Sequence, residues 1–296
     1  MATTIVVAGA TGNLGGRIAS ALRERGATAR ALVRVGAGGD KRDDLARRGA
    51  EIADVDMADV SALARACAGA SCVVSSLQGL RDVIVDAQST LLDAALAAGV
   101  PRFIPSDYSV DFTKVPAGEN RNFDLRRAFH ERLDVAPVAS TAIFNGAFAE
   151  LLTYNVPLLD VDKKVVGYWG DPDWRIDFTT MDDTAAYTAA AALDPTTPRT
   201  LRIASFQVSA VDLAAFTADV LKTPFALVRM GSLDDLTAYN QRERAAHPEG
   251  EAELYPRWQQ SQYILSMLST HHASLDNGRY PDLTWATLRD LITPRP

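Results

Sequence analysis

Along the first half of the chain, short runs of apolar residues alternate with longer stretches in which apolar residues recur every three or four positions. The first pattern predicts buried strands and the second amphipathic helices. Ile5–Ala8 predicts the first strand, and Ile18, Ala21 and Leu22 mark the helix after it. Thr28–Val33, closing on Arg34, predicts a second strand, Asp40–Arg48 a helix, and Ala50–Val55 a third strand. Asp59–Ala66 reads as a short helix and Cys72–Ser75 as a fourth strand. Val83–Ala98 predicts a long, alanine-rich helix that ends at Gly99, with Pro101 beyond it. Arg102–Ile104, Leu125–Arg132 and Ala139–Phe144 continue the series as strand, helix and strand. This alternation predicts an α/β fold with a doubly wound parallel sheet, whose ligand crevice lies at the carboxyl ends of the strands.

After Phe144 the pattern changes. Lys164–Tyr168 and Trp174–Phe178 predict short strands around a Gly170-Asp171-Pro172 turn. Met181–Leu193 and Val211–Leu221 predict helices, Leu201–Ser205 and Phe225–Met230 strands, and the chain from Ser232 on is mostly helical. The expected division is a nucleotide-binding domain over 1–150 and a smaller C-terminal α+β substrate lobe over 151–296, set over the crevice, with segments crossing between the lobes. The sequence holds no internal repeat and no low-complexity tract.

Composition narrows the function classes. Hydrophobic residues make up 47% of 296, enough for a sizeable core. Lysine and arginine number 30 against 37 acids, a formal net charge of −7, which argues against a nucleic-acid binder that relies on phosphate neutralisation. The two cysteines, Cys67 and Cys72, suggest no disulfide framework and read as buried thiols. The N-terminus opens directly on the first strand, without the basic region of a signal peptide, and no apolar run is long enough to span a bilayer. The expectation is a soluble, cytoplasmic protein with no membrane and no direct nucleic-acid partner.

The richest local signal is Gly9-Ala10-Thr11-Gly12-Asn13-Leu14-Gly15. Strand, tight glycine turn and helix form the context of a dinucleotide fingerprint. Gly9 supplies the positive φ of a sharp turn. Gly12 lets a pyrophosphate approach the backbone, and Gly15 lets the helix pack closely on the strand. Thr11, Asn13 and Leu14 complete the turn, where free N–H groups and the helix dipole favour an anion. By the crevice rule, Ser76, Leu77 and Gln78 after strand four pass the middle of such a cofactor. Ser106, Asp107 and Tyr108 after strand five, with Asn145 after strand six, flank its reactive ring.

Together with Ala31-Leu32-Val33-Arg34 and Arg102-Phe103-Ile104-Pro105-Ser106-Asp107-Tyr108, this turn resembles the NmrA-like, isoflavone-reductase-like family of atypical short-chain dehydrogenases. Ile143-Phe144-Asn145-Gly146-Ala147-Phe148 and Tyr280-Pro281-Asp282-Leu283-Thr284-Trp285 fit the same resemblance, which covers nearly the whole chain. It implies a Rossmann-type oxidoreductase. Where an NAD enzyme carries an acid near the end of its second strand, this chain has Arg34, followed by Lys41 and Arg42. A guanidinium holds a 2′-phosphate bidentately, so the expected cofactor is NADP(H), with Arg34 and Lys41 at its adenosine end. In relatives the same arginine has that role.

The resemblance also exposes a catalytic problem. Ordinary short-chain dehydrogenases use a Tyr-x-x-x-Lys pair, and none of the eight tyrosines here has a lysine four positions on. Isoflavone-reductase-like enzymes instead place a lysine one helical turn ahead of a Val-Arg-Arg-Ala segment. The matching segment is Leu125-Arg126-Arg127-Ala128, and the matching position is Asn122, which polarises a carbonyl but supplies no proton. Three readings stay open. Hydride transfer proceeds without a strong side-chain acid, as to a quinone; Tyr108 or His130 supplies the proton; or the protein is a non-catalytic NADP(H) redox sensor with a protein partner. His130 lies eight residues past Asn122, on the same helical face, although a surface helix histidine is its plainer reading. The expected substrate of an enzyme is a small aromatic, enone or quinone-like molecule. His271-His272 reads as structural, with no metal site expected. Arg126-Arg127 and Arg242–Arg244 read as solvated helix faces, and Trp169, Trp174 and Phe178 as core or pocket aromatics.

Overall fold

The computed structural model describes residues 2–36 and 39–292. The first elements are β1 (Thr4–Ala8), α1 (Asn13–Glu24), β2 (Thr28–Arg34), α2 (Asp40–Arg47), β3 (Glu51–Val55), α3 (Val60–Cys67) and β4 (Cys72–Ser75). A π-helical turn (Asp82–Ala87), α4 (Gln88–Ala97), β5 (Arg102–Ile104), α5 (Arg121–Leu133), β6 (Ala139–Ser140), β7 (Ala142–Phe144) and β8 (Ala147–Phe148) follow. Next come β9 (Val165–Trp169), β10 (Ile176–Thr179), α6 (Met181–Leu193), β11 (Thr200–Arg202), β12 (Phe206–Val208), α7 (Ala210–Leu221) and β13 (Ala226–Gly231). The chain closes with α8 (Leu233–Ala246), α9 (Arg257–Ser269) and α10 (Leu288–Ile292). Residues 1, 37, 38 and 293–296 of the expected spans 1–150 and 151–296 lie outside the described residues.

Two compact units form. The first comprises Met1–Tyr108, Asn122–Ile143 and Thr184–Leu201, the second Ser109–Arg121, Phe144–Asp183 and Arg202–Pro296. The first unit carries a six-stranded sheet in the order β3-β2-β1-β4-β5-β6, parallel throughout. The order reverses direction at β1, which makes the sheet doubly wound as the alternation implies. Its central strands read as continuous apolar runs because both faces are covered: Val6, Val7, Val73, Val74 and Phe103 are fully buried. Edge strand β3 is more open, with Glu51 and Asp54 exposed. One face packs Val6, Leu32, Leu63, Leu91, Leu92, Phe103, Phe129 and Leu133 into a single core cluster. Each such side chain contributes roughly 1.5–3 kcal/mol by leaving water.

The predicted sixth strand over Ala139–Phe144 divides in two. Only Ala139 and Ser140 pair with β5. At Thr141 the side chain turns to other partners: its hydroxyl accepts from Arg102 Nη2 at 3.1 Å and donates to the Pro198 carbonyl at 2.9 Å. β7 then pairs with β11. The long helix predicted from Val83 begins as a π turn, and α5 begins four residues before the predicted Leu125.

In the second unit, β10 joins β12 antiparallel and β8 parallel, while β9 pairs in parallel with β13. The strands expected to flank the Gly170–Pro172 turn therefore pair with other strands, not with each other. β8 and β12 are too short to leave a periodic signal in the sequence. α7 and α8 each open on a capping box, Ser209 with Asp212 and Ser232 with Asp235. Past α9, residues 270–287 are largely irregular, a departure from the expected helical ending. No helix among the described residues is long and apolar enough to cross a membrane.

Candidate active site

The glycine turn sits at the carboxyl end of β1 and is shaped by what its residues lack. Gly9 has φ +79°, and a Cβ there would lie 2.6 Å from the Ser76 carbonyl oxygen. A Cβ on Gly15 would lie 2.2 Å from the Gly9 carbonyl oxygen and 2.5 Å from Ser76 Oγ. These two glycines let the turn, α1 and the loop after β4 close on one another. Ser76 holds that closure: its hydroxyl donates to the Ala8 carbonyl at 2.7 Å and its N–H to the same oxygen at 2.9 Å. Its side chain is therefore spent on joining β4 to β1.

Gly12 is the N-cap of α1 and offers no side chain to its N–H groups, whereas α3, α7 and α8 are capped by Asp59, Ser209 and Ser232. Gly12 and Asn13 are exposed, and Thr11 and Leu14 half-buried. Asn13 Oδ1 accepts from Arg17 Nε at 2.9 Å, away from any cap role. An uncapped helix N-terminus with exposed N–H groups is the physical requirement for binding an anion there. The turn thus fits a dinucleotide pyrophosphate.

Arg34 lies two residues past Leu32, which pairs with Ala8, so it stands beside the glycine turn. Arg34 and Lys41 are exposed and, among the described residues, make no side-chain hydrogen bond or ion pair. Arg42 behaves differently: it grips Asp54 with two bonds of 3.2 and 2.8 Å. That carboxylate, beside Arg42, is held below its usual range. Of the three basic residues, the two named as cofactor contacts are those without a side-chain hydrogen bond or ion pair among the described residues.

The second loop of the edge, Ser106–Tyr108, is buried, and Ser106 and Asp107 are held by partners from neighbouring elements. Ser106 Oγ donates to the Leu77 carbonyl at 2.7 Å, and the Ser106 N–H donates to Gln88 Oε1 at 3.0 Å. Gln88 is itself buried, and its Nε2 donates to the Ile84 carbonyl within the π turn at 3.0 Å. Sequence reasoning missed Gln88; the available signal was an amide on the buried face of an alanine-rich helix, which needs partners. Leu77 packs at the margin of the core cluster, and Gln78 is exposed.

α5 clasps this loop along one face. Arg126 donates to the Ser106 carbonyl at 3.1 Å and to the Asn122 carbonyl at 3.0 Å. One turn on, His130 Nε2 donates to Asp107 Oδ2 at 2.6 Å, with the Asp107 side chain wholly buried. Arg199 Nη2 approaches His130 Nδ1 at 3.2 Å and also pairs with Asp134. A guanidinium has no acceptor, so in this arrangement Nδ1 accepts from Arg199 and Nε2 donates to Asp107. The reading of His130 as a surface histidine, and of Arg126 as part of a solvated face, gives way because both are consumed by the loop after β5.

Asn122 is buried in the first turn of α5. Tyr108 is buried as well. Burial pushes its phenol well above the usual range, with Asp107 adding to the effect, and its hydroxyl has no hydrogen-bond partner among the described residues. Burial likewise raises the thiols of Cys67 to about 11 and Cys72 to about 12. The first unit brings together the glycine turn, Ser76–Gln78, Ser106–Tyr108, Asn122 and His130 on elements of one sheet. Asn145 belongs to the second unit, where it is buried and its carbonyl accepts from Thr179 Oγ1 at 2.6 Å.

Other residues of the second unit are structural. Trp174 Nε1 donates to the Met267 carbonyl at 3.0 Å, with its ring against His271, and Phe178 stacks on Phe206. His272 is buried, and burial lowers its pKa, with Asp177 and Asp111 opposing and Arg202 and Lys114 adding to the lowering. Burial pushes the Asp111 carboxyl up, but bonds from Thr113 and Arg202 outweigh it and hold the group below its usual range. Among the described residues no three potential metal ligands gather. Arg244 is not simply solvated: it pairs with Glu251 at 2.6 Å and lies over the Trp258 ring.

A doubly wound parallel sheet whose first strand runs through a glycine turn into an uncapped helix defines a Rossmann-type protein. The NmrA-like family profile matches residues 1–224, and the chain belongs to that family. Among characterised proteins, it is 31% identical over 211 residues to pinoresinol reductase 1 of Arabidopsis thaliana, covering 66% of each chain. Isoflavone reductase homolog IRL of Zea mays is 33% identical over 208 residues, 64% of each. These matches span just under two thirds of the relatives' length. The structure of AtPrR2 with NADP+ and (+)-pinoresinol superposes with a TM-score of 0.82, covering 99% and 98% of the two chains at 23% identity. The NADPH-bound quinone oxidoreductase QOR2 of Escherichia coli gives 0.75 over 97% and 98% at 19% identity. At such identities the likeness describes the fold.

Proposed function

We propose that this protein is an NADPH-dependent reductase of a small aromatic, enone or quinone-like substrate. The observation that carries the reading is the uncapped N-terminus of α1 at the Gly9–Gly15 turn, with exposed Arg34 beside it. In this reading the backbone of Thr11–Gly15 receives the pyrophosphate, Arg34 and Lys41 the 2′-phosphate, and the Ser76–Gln78 and Ser106–Tyr108 loops the remainder of the cofactor. NADPH supplies a hydride. Family membership and the reductase relatives support the chemistry.

The proton is the distinguishing question. Asn122 stands where relatives of the isoflavone-reductase type carry lysine, Tyr108 has a raised pKa, and His130 has both ring nitrogens engaged. Asn122 then serves to orient a carbonyl oxygen by donating a hydrogen bond. A substrate that accepts hydride readily and takes its proton from water, a quinone or activated enone, suits these residues better than a benzylic ether. The same observations favour, as a second reading, an NADP(H)-binding redox sensor. Screening NADPH oxidation against quinones, enones and phenylpropanoid ethers separates the two. Turnover with a quinone or enone supports the reductase. Tight NADPH binding without turnover, and a protein partner captured only in one redox state, supports the sensor.

A further inference from the structure

The second unit contains a cavity of about 590 Å³ between α8, α9 and the 117–119 loop. Its floor is formed by the buried Asn240, Gln262 and Leu265, and its walls include Thr237, Arg244 and Glu119. Asn240 is 3% exposed, and neither its Oδ1 nor its Nδ2 has a hydrogen-bond partner among the described residues. A carboxamide taken out of water with both ends unmatched is destabilising, and an apolar residue such as Leu236, one turn earlier on the same face, would avoid the cost. The amide therefore makes physical sense where something in the cavity completes it.

The neighbouring groups define that occupant. Gln262 Oε1 accepts the Arg121 N–H at 3.1 Å, and its Nε2 has no further bond among the described residues. Arg244 is neutralised by Glu251 at 2.6 Å, and the Glu119 carboxylate on the same wall disfavours an anion. The same carboxylate accepts a hydrogen bond from a hydroxyl. What remains is a set of planar amides over an apolar floor at Leu265. A planar amide accepts from one hydroxyl and donates to its neighbour, so it matches two adjacent hydroxyls, with the ligand's C–H face on the leucine. We propose that this cavity binds a neutral polyol, a sugar ring presenting vicinal hydroxyls to Asn240 and Gln262. None of its lining residues belongs to the glycine turn, and the proposal does not rest on the reductase reading.

The full chain is tested by saturation-transfer NMR with glucose, xylose and myo-inositol, using benzamide and inorganic phosphate as controls. At least one polyol is expected to receive saturation, with its affinity reduced about tenfold or more in Asn240→Leu, the effect of one lost hydrogen-bond pair. The leucine is nearly isosteric, and NADPH affinity is expected to be unchanged in the variant. A crystal of the wild-type protein soaked in the responding polyol should show it on the Asn240 amide, which keeps the test decisive if the variant does not fold. The proposal is overturned if no polyol receives saturation, if benzamide or phosphate binds in preference, if Asn240→Leu leaves the signal intact, or if the soaked crystal shows only ordered water at Asn240.

Discussion

At the carboxyl end of β1 the chain turns on glycines, whereas at the carboxyl end of β5 it turns on Ser106, Asp107 and Tyr108. In the first turn, missing side chains allow backbone to meet backbone and leave N–H groups exposed at an uncapped helix. In the second, side chains are buried and the loop is held by bonds from Gln88 and Arg126 to the Ser106 backbone and from His130 to Asp107, while the Tyr108 hydroxyl is left without a hydrogen-bond partner among the described residues. One stretch of the sheet's carboxyl edge is thus kept open to a ligand, while another is largely packed before any ligand arrives. An anion needs unsatisfied donors, and a platform for a reacting ring needs satisfied ones.

The harshest way to break this contrast is Gly15→Ala. The new methyl would lie 2.2 Å from a carbonyl oxygen with no side chain able to yield. Urea titration should register a loss of about 3–5 kcal/mol, or no folded protein. An alanine tolerated here would mean that the turn is not sterically closed. Arg34→Ala acts on the open edge alone. Calorimetry should show NADPH weakened by about 1.5–3 kcal/mol, with NADH nearly unchanged and the melting temperature preserved. Equal losses for both cofactors would remove the arginine from the 2′-phosphate.

His130→Ala acts on the closed edge and should have the opposite signature. Removing the imidazole leaves a buried Asp107 oxygen unmatched, so stability should fall by about 1–3 kcal/mol, and His130→Gln should recover part of it. A strong loss of turnover in the glutamine variant, with stability and NADPH binding intact, would instead make His130 a proton donor.

Acid should reveal a different kind of buried group, in the second unit. Burial lowers the His272 pKa from 6.5, so the unfolded chain takes up its proton first. This contribution is fully present above about pH 6.5 and is lost as pH falls through the folded value. The carboxyl of Asp111, also held low, extends the same trend below its ordinary value of 3.8. Thermal melts across this range should fall less steeply in His272→Leu below pH 6.5. A slope identical to wild type would assign the acid sensitivity to other groups. The smallest effect belongs to Lys114→Ala. Lys114 is exposed in the second unit, and turnover should be unchanged. Abolished turnover with NADPH binding intact would restore a lysine mechanism.

The strand-helix alternation, the parallel sheet and the glycine turn were legible because each is a local property. Buried central strands must be continuous apolar runs, and a positive φ followed by close packing requires glycine within a few residues. Arg34 was legible for the same reason, since it ends a strand whose neighbour in the sheet is set by the turn. Local pattern says nothing of partners far along the chain. α5 starts at Arg121 because the N–H of that residue is received by Gln262, 141 residues away. His130 looks like a solvated histidine until Asp107 and Arg199, 23 and 69 residues distant, take its two nitrogens. Gln88 and Asn240 were unremarkable amides on helices until burial raised the question of what satisfies them. The sequence by itself determined the strand-helix alternation of the first unit and the closely packed glycine turn, through periodicity and backbone sterics. Only the tertiary structure decided which polar side chains are spent on holding the loop after β5 and which are left for a ligand, because hydrogen-bond satisfaction depends on neighbours in space.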